Sequence, residues 1–129
     1  MGYMKWTDEM SVSNLTIDNQ HKELFRYIDE FYLGIKNQAN KEAMSKLIAD
    51  LENYVVKHFT TEEAMMIGSG YPGLAAHKAE HTKFISTVAD YRKRFEEGRL
   101  LMSLEVSGFI KQWITSHIMQ TDQQYKGKI

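Results

Sequence analysis

The stretch Leu74-Ala-Ala-His-Lys-Ala-Glu-His-Thr-Lys-Phe-Ile-Ser-Thr-Val88 decides the fold of this chain. Its apolar and histidine positions recur with the spacing of one face of an α-helix, and the pattern continues to Phe95. Before it lies Gly68-Ser-Gly-Tyr-Pro-Gly73, a cluster of helix breakers that contains the only proline of the chain, and Glu97-Gly98 ends it. The sequence therefore predicts one long helix over about residues 74–96.

Three further segments show the same helical period. They cover about residues 18–37, with Asp18 as the predicted N-cap, residues 41–67, with Asn40 as the predicted N-cap, and residues 103–122. Residues 1–17 form a short arm without a clear period. Because short connections between consecutive long helices favour antiparallel neighbours, we predict an all-α fold. Its architecture is an antiparallel up-down-up-down four-helix bundle with a short N-terminal arm, in a single domain over residues 1–129.

The composition narrows the possible functions. The chain has 129 residues, 43% of them hydrophobic and 26% charged, and a formal net charge of -1. This near-neutral balance gives no electrostatic footprint for nucleic acid or an anionic membrane. The absence of cysteine excludes disulfides, iron–sulfur clusters and thiolate zinc sites. No basic region is followed by an apolar run at the N-terminus, and no apolar stretch approaches about 18 residues, so we expect a cytoplasmic protein.

All the histidines of the chain lie on the apolar stripes of the predicted helices, together with two carboxylates. Because the stripes face the bundle interior, these side chains should be buried. With a rise of ~1.5 Å per residue, all of them fall within a slab on the order of 10 Å deep near one end of the bundle. We therefore expect one metal site from His21, His58, Glu62, His77, His81, His117 and Asp122.

The spacing within each helix supports a shared centre, with one exception. His58 and Glu62, like His77 and His81, are four residues apart and face the same way. His117 and Asp122 are five residues apart, which places them about 140° apart on an ideal helix. We expect a local π-turn, or an aspartate just past the last regular turn, to bring the two together.

The candidate ligands are too many for one tetrahedral zinc ion, which takes four. Two ions with six-fold coordination, bridged by the two carboxylates, would use them well. Imidazole and carboxylate without thiolate suit iron, with zinc, manganese or copper as less fitting choices. Oxygen-activating di-iron bundles use mainly glutamates, whereas a histidine-rich site favours reversible redox binding over oxidation of a substrate. Histidines divided three and two would leave one ion with an open position.

These motifs resemble the hemerythrin family, in particular its bacterial single-domain form. The resemblance covers the chain from Trp6 to about Tyr125. It rests on His21 within Ile17-Asp-Asn-Gln-His21, His58-x-x-x-Glu62, His77-x-x-x-His81, Tyr71-Pro72 and Trp113-Ile-Thr-Ser-His117-x-x-x-x-Asp122. The family's last motif has the same five-residue step.

The resemblance implies reversible binding of dioxygen, for transport or storage, rather than catalysis. Two iron ions would share an oxo or hydroxo bridge together with Glu62 and Asp122. One iron would be held by His77, His81 and His117, and dioxygen would bind end-on, as hydroperoxide, at the other, held by His21 and His58. Nitric oxide or small anions such as azide are further expected ligands.

Other residues are candidates for the surroundings of the centre. The oxygen pocket is expected to be lined by four residues of the same stripes, and Tyr54 and Tyr125 are expected outside the ligands. Ser13 and Asn14 stand where the family frequently has a glycine and an aliphatic residue, which bears on how the arm covers the site. The pocket residues are Phe25, Phe59, Trp113 and Ile114.

Two other functions are compatible with parts of the pattern. The same di-iron site could serve an oxygen, redox or nitric oxide sensor, or an iron scavenger. The chain ends at Lys126-Gly-Lys-Ile129 without a signalling domain, which favours a free carrier or store. His77-Lys-Ala-Glu80-His81 also spells the inverted zinc-peptidase motif, with Glu80 as general base. That alternative leaves His21, His58 and His117 unexplained.

Overall fold

The computed structural model describes residues 4–98 and 104–128 of the chain. Within them lie four α-helices, and the fourth continues into a π-helical turn and a 3-10 turn. The helices are α1 (Leu15–Lys36), α2 (Lys41–Ser69), α3 (Leu74–Glu96) and α4 (Leu104–Ser116). In this part of the chain there is no strand, and the predicted four-helix bundle is confirmed. Residue 103, the predicted start of the last helix, lies outside the described residues.

The N-terminus of α1 differs from the prediction. Asn14, not Asp18, is the N-cap, and its side-chain oxygen accepts a hydrogen bond from the backbone N–H of Ile17 at 3.1 Å. The prediction of Asp18 as the cap is wrong because its carboxylate serves the arm instead. It accepts hydrogen bonds from the hydroxyl of Ser11 at 2.6 Å and the backbone N–H of Val12 at 2.9 Å. Helix α1 therefore begins at Leu15, and the arm is tied to its first turn.

The other helix ends follow the predicted chemistry. Asn40 caps α2 by accepting a hydrogen bond from the backbone N–H of Ala43 at 2.8 Å, as predicted. Helix α2 extends to Ser69 and ends at Gly70, whose φ of 65° is the left-handed conformation that glycine adopts readily. The turn that follows leads directly into α3 at Leu74.

The π-helical turn spans His117–Thr121. The backbone N–H of Asp122 donates to the carbonyl of His117, a bond across five residues rather than the four of an α-helix. This wider turn brings the side chain of Asp122 back toward the face that carries His117. The predicted local π-turn is confirmed.

The core has two parts, with the polar site residues between them along the helices. The larger cluster fills most of the bundle and includes Leu24, Val55, Phe84 and Ile114. The smaller one closes the other side and consists of Val12, Ile17, Met66, Tyr71 and Tyr125. The site therefore lies in a polar layer that apolar packing closes from above and below. Among the described helices, none combines the length and the hydrophobicity that a membrane-spanning segment requires.

Candidate metal centre

The structure brings all the predicted ligands together in the bundle interior. None is more than 4% exposed. Helices α1, α2 and α3 contribute directly, and α4 contributes through the turns that continue it. The residues come from α1 (His21), α2 (His58, Glu62), α3 (His77, His81) and the turns after α4 (His117, Asp122).

Glu62 lies between two groups of histidines. Its Oε2 is 3.5 Å from Nε2 of His21 and 3.4 Å from Nε2 of His58. Its Oε1 is 3.0 Å from Nε2 of His77 and 3.0 Å from Nε2 of His81. One oxygen of the carboxylate therefore faces each group, which is the arrangement of a carboxylate that bridges two ions.

The two carboxylate oxygens of Asp122 also face different histidines. Its Oδ2 is 3.3 Å from Nε2 of His21, whereas its Oδ1 is 2.8 Å from Nε2 of His77 and 3.0 Å from Nε2 of His117. The donor atoms consequently form two clusters that share Glu62. One contains His21, His58 and Glu62, and the other contains Glu62, His77, His81, His117 and Asp122.

The donor chemistry fits metal ions rather than a self-contained hydrogen-bond network. His81 and His117 each have Nδ1 near a carboxylate, at 2.8 Å from Glu63 and 3.0 Å from Glu80, so each Nδ1–H donates outward. Their Nε2 atoms then carry lone pairs and face each other at 3.0 Å. Two lone pairs at this distance repel unless a cation lies between them.

Several buried atoms support the same conclusion. Within residues 4–98 and 104–128, Nε2 of His21 and both carboxylate oxygens of Asp122 are buried without an aligned hydrogen-bond partner, although Nε2 of His21 lies 3.3 Å from Oδ2 of Asp122. Buried polar atoms without partners are costly, and coordination to a metal would satisfy them.

A second layer of residues orients the ligands from outside. Oε1 of Gln20 lies 2.8 Å from Nδ1 of His58, so that nitrogen donates to the amide oxygen and Nε2 remains available to a metal. The hydroxyl of Tyr54 donates to the backbone carbonyl of Gln20 at 3.2 Å. Tyr125 donates to Oε2 of Glu62 at 2.6 Å. Both tyrosines thus lie outside the ligands, as predicted, whereas helical spacing did not identify Gln20 or Glu63 as residues that orient a ligand.

The carboxylates set the protonation of the histidines. Burial lowers the pKa of His21 and of His77, but the carboxylates of Asp122 and Glu62 outweigh it and raise both to about 9. Burial, together with the nearby positive charge of His21, lowers the pKa of His58. In the metal-free chain, two protons therefore occupy positions that metal ions would take.

The same contacts act on the two acids. Burial raises the pKa of Glu62, but the surrounding histidines outweigh it, and the net pKa lies well below its usual range. For Asp122, burial and the charge of Glu62 raise the pKa, and the neighbouring imidazoles of His117, His21 and His77 more than reverse this, so that the net pKa lies below its usual range. Both acids are therefore ionised and ready to act as ligands.

Aromatic rings stack on two of the predicted ligands, His81 and His117. Phe59 stacks on His81 with ring centroids 3.7 Å apart and planes 2° from parallel, and Trp113 stacks on His117 at 4.7 Å. Phe59 also lies 5.8 Å from the ring of His58. The rings therefore fix the imidazole planes on one side of the site.

The other predicted pocket residues lie nearby. Phe25 is buried and lies 6.2 Å from the ring of Trp6, which in turn is 6.4 Å from His21. Ile114 is buried in the larger core cluster. The arm residue Trp6 thus covers the side of the site that carries His21.

The position of Glu80 argues against the peptidase alternative. A general base must reach water bound on the metal side of the histidines. Glu80 instead contacts Nδ1 of His117 at 3.0 Å, on the side away from the other ligands, and accepts a hydrogen bond from Thr121 at 3.1 Å. A carboxylate in this position can orient the ring of His117 but does not face the interior of the site.

Comparison with known proteins agrees with this geometry. The family model described as the hemerythrin HHE cation binding domain matches residues 14–129. The chain is 33% identical to a bacteriohemerythrin of Methylococcus capsulatus (strain Bath), over 97% of this chain and 95% of that protein. It is 31% identical to a myohemerythrin of Theromyzon tessulatum, over 97% of this chain and 92% of that one. It superimposes on a crystal structure of wild-type hemerythrin with a TM-score of 0.93 and 32% identity, covering 98% of this chain and 97% of that chain.

Proposed function

The chain belongs to the hemerythrin family, and we propose that it carries or stores dioxygen by binding it reversibly at a non-heme di-iron centre. The observation that supports this function best is the division of the two carboxylates. Glu62 and Asp122 each direct one oxygen to the histidine cluster containing His77 and the other oxygen to His21. Such an arrangement suits two adjacent ions that must exchange electrons with one ligand.

The residues divide unequally between the two ions. His77, His81 and His117 would hold one ion, and His21 and His58 the other, which leaves the second with room for dioxygen. When bound, a pair of ferrous ions would supply the two electrons with which dioxygen is held. The chain itself supplies the imidazoles, the two bridging carboxylates and the orientation of each ring.

The apolar residues around the site would keep the binding of dioxygen reversible. Phe25, Phe59, Trp113 and Ile114 would line the oxygen pocket and keep water from the bound ligand, since water and protons promote its irreversible loss. Support comes from the stacking of Phe59 and Trp113 on the histidines and from the burial of Ile114. Nitric oxide and azide would compete for the same open position.

We further infer a binding protein rather than an enzyme, in the cytoplasm. The histidine-rich donor set supports the binding role because neutral imidazoles stabilise highly oxidised iron less than carboxylates do. The same chemistry would let the chain hold oxygen without transferring it to a substrate.

A sensor is the second candidate. The side-chain amide of Gln123, next to the ligand Asp122, donates to the backbone carbonyls of Met10 at 3.3 Å and Ser11 at 3.4 Å. A change at the centre could therefore move the arm. An arm that stays in place on oxygenation, measured by hydrogen exchange at residues 8–14, would exclude this alternative.

The deciding experiment uses the full chain loaded with ferrous iron under anaerobic conditions. Oxygen is admitted and then removed, while the visible absorption is followed and the iron content is measured. We expect two irons per chain and an absorption band that appears with oxygen and disappears without it. Irreversible oxidation on first exposure would favour a sensor or scavenger, and one zinc per chain would contradict both functions.

A further inference from the structure

The side chains that contact the Nδ1 atoms of the predicted histidine ligands differ in charge. Nδ1 of His81 lies 2.8 Å from a carboxylate oxygen of Glu63, and Nδ1 of His117 lies 3.0 Å from one of Glu80. On the other side of the centre, Nδ1 of His58 lies 2.8 Å from the neutral amide oxygen of Gln20.

The remaining histidine of that side adds to the contrast. Nδ1 of His21 is buried and has no hydrogen-bond partner among the described residues. One half of the centre, with His77, His81 and His117, therefore receives two negative charges through its imidazoles. The other half, with His21 and His58, receives none from the part of the chain that the structure describes.

This difference has an electronic consequence for a bound ion. A carboxylate that accepts the Nδ1–H of an imidazole makes the opposite nitrogen a stronger electron donor. A stronger donor stabilises the more highly charged ion. An amide oxygen orients the imidazole ring equally well, but the amide group carries no net charge. It therefore stabilises the more highly charged metal ion less than a carboxylate does.

The two carboxylates should not contribute equally. The side chain of Glu63 is 18% exposed, whereas that of Glu80 is 47% exposed. Solvent screens an exposed charge more strongly, so the effect of Glu63 should be the larger one. Thr121 donates to Glu80 at 3.1 Å and keeps its carboxylate in place.

We propose that Glu63 and Glu80 make the half with His77, His81 and His117 the preferred site of ferric iron, while Gln20 keeps the His21 and His58 half the preferred site of ferrous iron. The three residues are positioning residues, since they act through the ligands. The proposal rests on the proposed di-iron function. It assigns the open half the oxidation state to which dioxygen binds.

The first test measures the two one-electron potentials of the iron-loaded chain, with ferricyanide as the oxidant and dithionite as the reductant. Glu63→Gln and Glu80→Gln keep a hydrogen-bond acceptor but remove the charge. Each should raise the lower potential and leave the higher one nearly unchanged. We expect the ratio of ferric to ferrous affinity to fall about tenfold for Glu63→Gln, which corresponds to 59 mV, and less for Glu80→Gln.

The reverse substitution, Gln20→Glu, should lower the higher potential instead. Both kinds of variant therefore narrow the separation between the two steps, but they move the mean potential in opposite directions. Glu42→Gln, an exposed acid in the first turn of α2, controls for net charge and should change neither step. Equal shifts of both steps in Glu63→Gln, or no shift, would overturn the proposal.

A second measurement separates this proposal from the function itself. In the zinc-loaded chain, the Nδ1 protons of His81 and His117 should resonate farther downfield in proton–nitrogen NMR spectra than that of His58. Glu63→Gln should move the His81 proton upfield and leave His58 unchanged. If the chain fails to hold two irons, the oxygen function fails, and the zinc spectra alone decide whether the carboxylates polarise the ligands. Equal chemical shifts for the Nδ1 protons of His58, His81 and His117 would contradict the proposed effect of the carboxylates.

Discussion

The hydroxyl of Tyr125 donates a 2.6 Å hydrogen bond to Oε2 of Glu62, the oxygen that faces His21 and His58. Tyr125 is fully buried, and burial together with the nearby carboxylates raises the pKa of its hydroxyl far above the usual range. It therefore remains a neutral donor at any physiological pH. The bond fixes which way the bridging carboxylate is turned.

Replacing Tyr125 by phenylalanine removes this bond and keeps the ring. We expect the free energy of unfolding of the metal-free chain to fall by about 1.5–3 kcal/mol, because the bond is to a charged group. Metal affinity should fall about 10- to 100-fold, as for other residues that orient a ligand. Urea unfolding and competition with a chelator measure the two effects.

Tyr71→Phe is the matched control, since Tyr71 belongs to the same apolar cluster and its ring lies 6.2 Å from that of Tyr125. It should leave metal affinity unchanged. An equal loss of affinity in both variants would show that the cluster, and not the hydroxyl, positions Glu62.

The stability of the metal-free chain should depend on pH in an unusual way. His21 and His77 have a pKa of about 9, above the ordinary value of about 6.5, so folding favours their protonated forms. Their contribution is complete below about pH 6.5 and is lost as the pH rises through about 9. Glu62 and Asp122 have lowered pKa values, so their contribution is present above about pH 4.5 and is lost in acid.

His58 acts in the opposite direction, because folding favours its neutral form and stability is lost as the pH falls below about 6.5. We therefore expect the free energy of unfolding, measured in urea with a chelator present, to be highest near about pH 6.5. By pH 9 it should fall by an amount on the order of a few kcal/mol. With metal bound, this fall should disappear, because metal replaces the protons and binds more tightly as the pH rises. A metal-free chain that gains stability from pH 6.5 to 9 would contradict the protonation described for the site.

The turn before α1 offers a test of backbone strain. Ser13 has a φ of 60°, in the left-handed region that is unfavourable for most residues. Ser13→Gly should raise the free energy of unfolding by up to about 1 kcal/mol, since the relief of strain exceeds the entropy that glycine adds to the unfolded chain. Asn14→Ala should lower it by about 1 kcal/mol through loss of the cap. Chemical unfolding measures both, and iron content should stay the same.

The assignment of Ile114 to the oxygen pocket can be tested by comparing two isoleucine-to-alanine substitutions on α4. Ile114 and Ile110 are both buried on α4, one helical turn apart, and Ile114 is the nearer to His117 along the chain. Each replacement by alanine should cost about 2–5 kcal/mol in unfolding free energy. Only Ile114→Ala should accelerate the irreversible oxidation of the oxygenated protein, because it admits water beside the centre. Equal rates in both variants would remove Ile114 from the pocket.

Much of the fold could be predicted because the helical period and the breakers are local properties of the sequence. The stripe of α3 and the cluster Gly68–Gly73 define that helix without reference to any other part of the chain. The start of α1 could not be predicted in this way. Asp18 is a good capping residue, but its carboxylate is taken by Ser11 and Val12 of the arm, and only the folded chain shows that competition.

The candidate site, like the fold, could be predicted only in part. The ligands share inward faces and one end of the bundle, which helical geometry alone predicts. The residues behind them could not be found from spacing. Glu63 lies on α2 and holds a histidine of α3, and Glu80 lies on α3 and holds a histidine of the turn after α4. Such pairs depend on how two helices are rotated about their axes, which no period within one helix encodes.

The π-helical turn at His117–Thr121 also has a consequence for anyone who wishes to build this centre into a designed protein. A scaffold of four straight, ideal helices cannot accept the ligand set as the sequence presents it, since it would point Asp122 away from His117. The designer must either copy the widened turn or omit one residue between the two ligands. The transplanted site thus needs its own irregularity, and a backbone regularised for stability would lose one of its two bridges.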